Sequence, residues 1–193
     1  MPPAPKHRQP IIDAAVTLFR RNGYSATGLN DIVELSGAPK GSLYHYFPHG
    51  KSSIAAAAVE EAGSRVLETL TELSSNVSSA AELVSAHAKL LGQWMRKSGY
   101  KDGCPMTTVL LELAPEDRPV AQAAKAAYTA RKNLIEIRLI EDGFSEKLAT
   151  ELASLCTSAL QGALIETRIQ KNTAPLTTAA ECLTNLLSLH TKQ

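Results

Sequence analysis

The chain has 193 residues, 44% of them hydrophobic and 20% charged, with a formal net charge of +1. That length buries a core without disulfide staples, and the composition is that of an ordinary soluble domain, not of a fibre or a disordered tail. Cys104, Cys156 and Cys182 form no CxxC pair, so neither a metal nor a dithiol motif is offered. No apolar run approaches the ~20 residues of a membrane span.

Residues 1–5 are Pro-rich and expected to be disordered; Met-Pro-Pro-Ala-Pro-Lys-His-Arg lacks an apolar signal region, which points to the cytoplasm. A first helix is predicted from about Lys6 to Asn22, with Ile11, Ile12, Ala15, Leu18 and Phe19 on one face and Gly23 as its stop. Thr27 is expected to cap a second helix over Leu29 to Ser36, with Asp31 in its first turn. Gly37 breaks that helix, Pro39 starts a third, and Pro48-His49-Gly50 closes it near Phe47. Longer helices follow at about 51–75, 79–97, 105–113, 118–141, 145–170 and 174–190. Nine helices and no convincing strand make an all-α fold, with a head over 1–50 and a larger body over 51–193.

Two short helices joined by a glycine-containing turn describe a helix-turn-helix, whose second helix enters the DNA major groove. Leu43, Tyr46 and Phe47 fall at i, i+3 and i+4 and should form the buried side of the third helix. Lys40 and Tyr44 lie four apart on another side, with Gly41 and His45 beside them: a basic, aromatic, hydrogen-bonding face suited to phosphates and base edges. Charge agrees. Residues 1–51 hold Lys6, Arg8, Arg20, Arg21, Lys40 and Lys51 against Asp13, Asp31 and Glu34, a net +3, which leaves −2 for the rest.

Ala14-Ala15, Leu18-Phe19, Gly23-Tyr24, Thr27, Asp31-Ile32, Gly37 and the run Lys40-Gly41-Ser42-Leu43-Tyr44-His45-Tyr46-Phe47 followed by Lys51 resemble the TetR family of bacterial transcriptional regulators. The resemblance covers about the first quarter of the chain closely. It implies a DNA-binding head, a linking fourth helix and a helical ligand-binding and dimerisation body. It also implies that Thr27 and Gly28 touch backbone phosphate, that Pro39, Lys40, Gly41 and Ser42 face the groove, that Tyr44 and His45 contact phosphate, and that Lys51 clamps phosphate at the start of the fourth helix. One departure is Lys51-Ser52, where family members often carry Lys-Glu; losing that acid leaves the helix N-terminus freer for an anion.

In the body, an inducer pocket is expected among apolar and aromatic side chains: Leu90, Leu91, Trp94, Cys104, Met106, Leu110, Leu113 and Tyr128, with His87 and Glu112 as possible polar handles. Gly103-Cys104-Pro105 with Leu111-Glu112 resembles a TetR subgroup that shares its C-terminal domain with flavonoid-responsive repressors of efflux genes, which implies a planar aromatic or otherwise apolar inducer. The last two helices are apolar over more than one side, so Leu160, Leu164, Ile165, Leu183, Leu186 and Leu187 are expected at a homodimer interface.

The function expected is a ligand-released regulator, most simply a repressor, that binds a palindromic double-stranded operator as a dimer, without cofactor, metal or membrane. Two rivals stand beside it: a redox sensor using Cys104 at a helix N-terminus, and a constitutive DNA-binding protein without ligand. Histidines at 7, 45, 49, 87 and 190 are scattered and no nucleophile–base spacing is visible, which argues against an enzyme.

Overall fold

The computed structural model describes residues 6–190; the Pro-rich residues 1–5 lie outside the described residues. Among the described residues there are nine helices and no strand: α1 (Arg8–Asn22), α2 (Leu29–Ser36), α3 (Lys40–Tyr46), α4 (Lys51–Ser75), α5 (Ala80–Lys97), α6 (Pro105–Leu113), α7 (Arg118–Glu141), α8 (Glu146–Gln170) and α9 (Ala174–His190). The punctuation is chemical. Gly23 and Gly37 take positive φ, +84° and +63°, just past α1 and α2, a conformation that costs a side chain little only when there is none. Ser79 caps α5 by accepting the Glu82 N–H at 3.2 Å.

The chain gathers into two compact units, each made of two stretches. One is the chain up to Arg65 together with Cys104–Ala127; the other is Val66–Gly103 together with the residues from Tyr128 onward. In the first, α1 packs against α2, α3 and α6. Its core is Ile11, Ala15 and Phe19 of α1, Ile32, Leu43, Ile54 and Val59 from the next three helices, Phe47 just past α3, and Met106 and Val109 of α6, all essentially buried. Gly63 on α4 is needed for close approach, since a Cβ there would stand 2.5 Å from the Cβ of Ala127 on α7.

In the second unit α5, α8 and α9 pack on one another. Its buried set includes Leu83, Val84 and Met95 of α5, Leu139 of α7, Leu152, Cys156 and Leu160 of α8, and Leu176, Leu183 and Leu187 of α9. Leu160, Leu164, Leu183 and Leu187, expected at an interface, are therefore buried within their own chain: helices stacked on two neighbours need apolar side chains over a wide arc, and that breadth mimics an interface pattern. Ile165 does stand outside, at 46% exposure, and Leu186 is half-buried. Among the described residues α8 alone is long and apolar enough to cross a membrane, by length and composition only, and 44% of its most apolar stretch is buried in the protein.

The inward face of α5 also differs from the expected one. Trp94 is 45% exposed, while Met95 and His87 are buried. The buried positions 80, 83, 84, 87, 88, 92 and 95 follow the helical period, and Trp94 falls one step off that stripe.

Candidate nucleic-acid interface

The helix-turn-helix is closed by its own backbone. Gly37 donates to the Glu34 carbonyl, Ala38 donates to the Ser36 hydroxyl, and Pro39 caps α3, its carbonyl accepting from Ser42 at 2.8 Å. Leu43 and Phe47 anchor the helix; Leu43 has no exposed surface. Tyr46, expected with them, is half-buried and meets the His45 ring edge-on at 4.9 Å between centroids. With the back of the helix fixed, Pro39, Lys40, Gly41, Tyr44 and His45 are exposed and Ser42 is half-exposed. Tyr44 is a large aromatic left 50% in solvent. Nothing lies within 4 Å of where a Gly41 Cβ would be, so the backbone there is open to a close-approaching partner.

Thr27 is placed differently from expectation. It is 0% exposed, and its hydroxyl donates to the Gly23 carbonyl at 2.8 Å. The N-cap of α2 is Gly28, whose N–H donates to the Asp31 carboxylate at 2.8 Å. Thr27 thus shapes the turn and presents no hydroxyl to a phosphate, whereas Gly28 is exposed at a helix N-terminus.

Lys51 opens α4 with its ammonium 4.2 Å from the centroid of the Tyr24 ring, donating to the Ser25 carbonyl at 3.4 Å. Burial pushes its pKa below the usual lysine value, against the pull of Glu112 and Asp31. Next to it, the Ser52 hydroxyl donates to the Asp117 carboxylate, whose other oxygen accepts the Val120 N–H at 3.1 Å in the first turn of α7. An acid stands near the start of α4 after all, supplied from residue 117 in place of residue 52.

Two models of known families match this chain. One, of bacterial regulatory proteins of the tetR family, covers residues 11–58; the other, the C-terminal domain of LmrA/YxaF-like transcriptional regulators, covers residues 80–182. The chain belongs to the TetR family. It is 32% identical to the HTH-type transcriptional regulator LmrA of Bacillus subtilis over 93% of this chain and 96% of that one. It is 35% identical, over 93% of each chain, to an uncharacterized HTH-type transcriptional regulator of Mycobacterium tuberculosis. Among solved structures, reduced NemR of E. coli superposes with a TM-score of 0.79 at 22% identity, covering 93% of this chain and 96% of that one. A TetR-family regulator from Agrobacterium tumefaciens gives 0.80 at 19% identity, covering 95% and 98%. Within the TetR family, then, this is a DNA-binding transcriptional regulator.

The residues expected around an inducer divide between the units: Cys104, Met106, Leu110 and Leu113 in the first, Leu90, Leu91, Trp94 and Tyr128 in the second. Cys104 is the half-buried N-cap of α6 and Met106 is buried in the first unit's core. Tyr128 lines a depression of about 370 Å³ with Lys132, Thr157 and Gln161. The Thr157 hydroxyl and the Gln161 amide nitrogen are buried there without a hydrogen-bond partner. His87 is buried, and loss of solvent followed by repulsion from Arg131 lowers its pKa to about 3, so the imidazole is neutral. The Cys156 thiol is pushed up to about 11, chiefly by burial.

Glu112, expected as a possible polar handle, is engaged within the first unit. Its two carboxylate oxygens accept the backbone N–H groups of Tyr24 at 2.7 Å and Ser25 at 2.8 Å. Burial opposes its charge, but a hydrogen bond from the Ser25 side chain, the two backbone N–H bonds and Lys51 together outweigh burial and hold the carboxyl below its ordinary pKa. A contact across 87 and 88 residues leaves no spacing signal in a sequence.

Proposed function

We propose that this protein is a ligand-responsive repressor that binds a palindromic operator as a homodimer in the cytoplasm and is released by a small apolar or aromatic inducer. The observation that carries the reading is the outward face of α3: Lys40, Tyr44 and His45 are exposed over a fully buried Leu43, which is how a groove-reading helix is built. Lys40, Gly41 and Ser42 face base edges with Pro39 at their head, Tyr44 and His45 take phosphates, and Gly28 and Lys51 hold the backbone from the N-termini of α2 and α4.

Dimerisation is supported by apolar residues left in solvent on α8. Leu155, Ile165 and Ile169 are exposed, Ile169 at 74%. Beside them Ala159, Gly162, Ala163, Ala179 and Cys182 line a groove of about 460 Å³ between α8 and α9, narrow residues that let a partner helix come close. Two heads related by a two-fold axis read two half-sites, hence a palindrome. For the inducer, the second unit offers Trp94 and Tyr128 with Leu90 and Leu91, aromatic and apolar side chains that suit a planar aromatic ligand. Such a ligand releases DNA only by binding the non-operator state more tightly.

The test is selection of duplexes from a random library by the purified protein, followed by affinity and mass measurements. An inverted repeat bound by a dimer, weakened by added flavonoid with a change in Trp94 fluorescence, is expected. Selected duplexes without inverted symmetry, bound by a monomer, would overturn the dimeric reading. A flavonoid-independent affinity would overturn the inducer class.

A further inference from the structure

The α1–α2 turn is held from both of its polar sides. On the carbonyl side, Gly23 accepts from the Thr27 hydroxyl at 2.8 Å, Tyr24 from the Thr27 N–H at 3.1 Å, and Ser25 from the Lys51 ammonium at 3.4 Å. On the N–H side, Tyr24 and Ser25 both donate to Glu112, which sits in the last turn of α6. The same peptide groups therefore stand between an acid on α6 and the residues that open α2 and α4. Such chains of hydrogen bonds polarise and so strengthen one another. Gly23 is fitted to this acid as well: a Cβ there would lie 2.6 Å from the Glu112 Oε1, in a backbone conformation that already disfavours side chains.

We propose that Glu112 is a positioning residue for operator binding: by holding the Tyr24 and Ser25 amides it fixes the turn that sets Lys51 and the N-terminus of α2 for phosphate. The proposal rests on the operator-binding reading and on Lys51 as a phosphate clamp, and goes beyond it by placing control of the head in α6. Lys51 has two anchors in this structure, the Tyr24 ring and the Ser25 carbonyl, and both belong to residues that Glu112 grips. A displaced turn carries both anchors away. A carboxylate is needed because it alone offers two acceptor atoms to two successive N–H groups; glutamine keeps the shape but turns an NH2 towards one of them.

The experiment uses the full-length protein and a duplex that the wild type has selected from a random library. Glu112→Gln should weaken binding about tenfold, the loss expected for one charge-assisted hydrogen bond. The slope of log affinity against log salt should become shallower by about one phosphate contact. Amide exchange at Tyr24 and Ser25 in the free protein should speed up by about the same factor. In a double-variant cycle with Lys51→Met, the second substitution should cost little once the first is made, because both act on one contact. A residue that only stabilises the fold would leave the salt slope unchanged and give additive losses. Glu112→Gln binding within twofold of wild type or more tightly, an unchanged salt slope, or additive losses with Lys51→Met would each overturn the proposal. Lys40→Ala on the same duplex reports on α3 separately, so a failure of the recognition-helix reading shows there and not at Glu112.

Discussion

The two compact units differ in where their most distinctive polar groups lie. In the first, charged side chains work near the surface: Glu112 on the α1–α2 turn, Ser52 with Asp117, and Arg65 paired with Asp13 and Glu61. In the second, polar groups go inside: a neutral His87, Arg131 and Thr157 lie buried among aliphatic side chains of α5, α7 and α8. Exposed charge pairs contribute little individually and are remade readily, which suits a unit that must fit itself to DNA. Buried polar groups are costly to disturb and specify one packing, which suits a scaffold. The contrast teaches that exposed polar groups of the first unit should be alterable at small cost in stability, whereas the buried ones of the second should not.

That contrast can be broken from its strongest side first. Phe19→Ala removes a fully buried ring at the centre of the first unit and should cost about 3–5 kcal/mol. Chemical denaturation would read it, and a loss under 1 kcal/mol would mean the α1 core is not what holds the helix-turn-helix. His87 gives the second unit an acid sensitivity. Its unfolded imidazole binds a proton near pH 6.5 and the folded one only near pH 3, so the unfolded state takes up a proton that the native state refuses. Its contribution is complete above pH 6.5 and falls on acidification by about 1.4 kcal/mol per pH unit through that window. Urea titrations at pH 7, 6 and 5 should show this slope, and His87→Gln should flatten it; an identical slope in both proteins would place the proton uptake elsewhere.

Smaller effects belong to the first unit's surface. Lys40→Ala and Tyr44→Phe should each weaken operator binding by about 1–2 kcal/mol with the melting temperature unchanged, since both side chains face solvent. Fluorescence anisotropy on the selected duplex decides this, and unchanged affinity in both variants would remove α3 from the groove. At the bottom of the scale, Arg65→Gln breaks exposed pairs with Asp13 and Glu61 and should shift stability by about 1 kcal/mol or less. A larger loss would show the first unit depends on its surface ions more than its apolar core.

Much of the first unit was legible because its signals are local. Gly37 and Pro39 delimit α3, the i, i+3, i+4 spacing sends Leu43 and Phe47 inward, and Lys40 and Tyr44 emerge on the other side. Thr27 differs from its expected N-cap role because threonine suits a cap by type, while the competing acceptor at Gly23 depends on how the turn folds. The second unit was harder. Leu160, Leu183 and Leu187 look alike whether they meet their own chain or a partner, and Trp94 lies one helical step from the buried stripe.

By itself, then, the sequence determined the nine helices seen among the described residues, their breaks, and a helix-turn-helix with one greasy and one polar face, since helical periodicity and turn chemistry act over a few residues. Only the tertiary structure decided that α6 packs on α1, that Glu112 reaches the Tyr24 and Ser25 amides, and that His87 is buried beside a guanidinium. Those contacts join residues tens of positions apart, and their existence depends on which helix faces the core settle together, a choice made by packing the whole unit and not by any one segment.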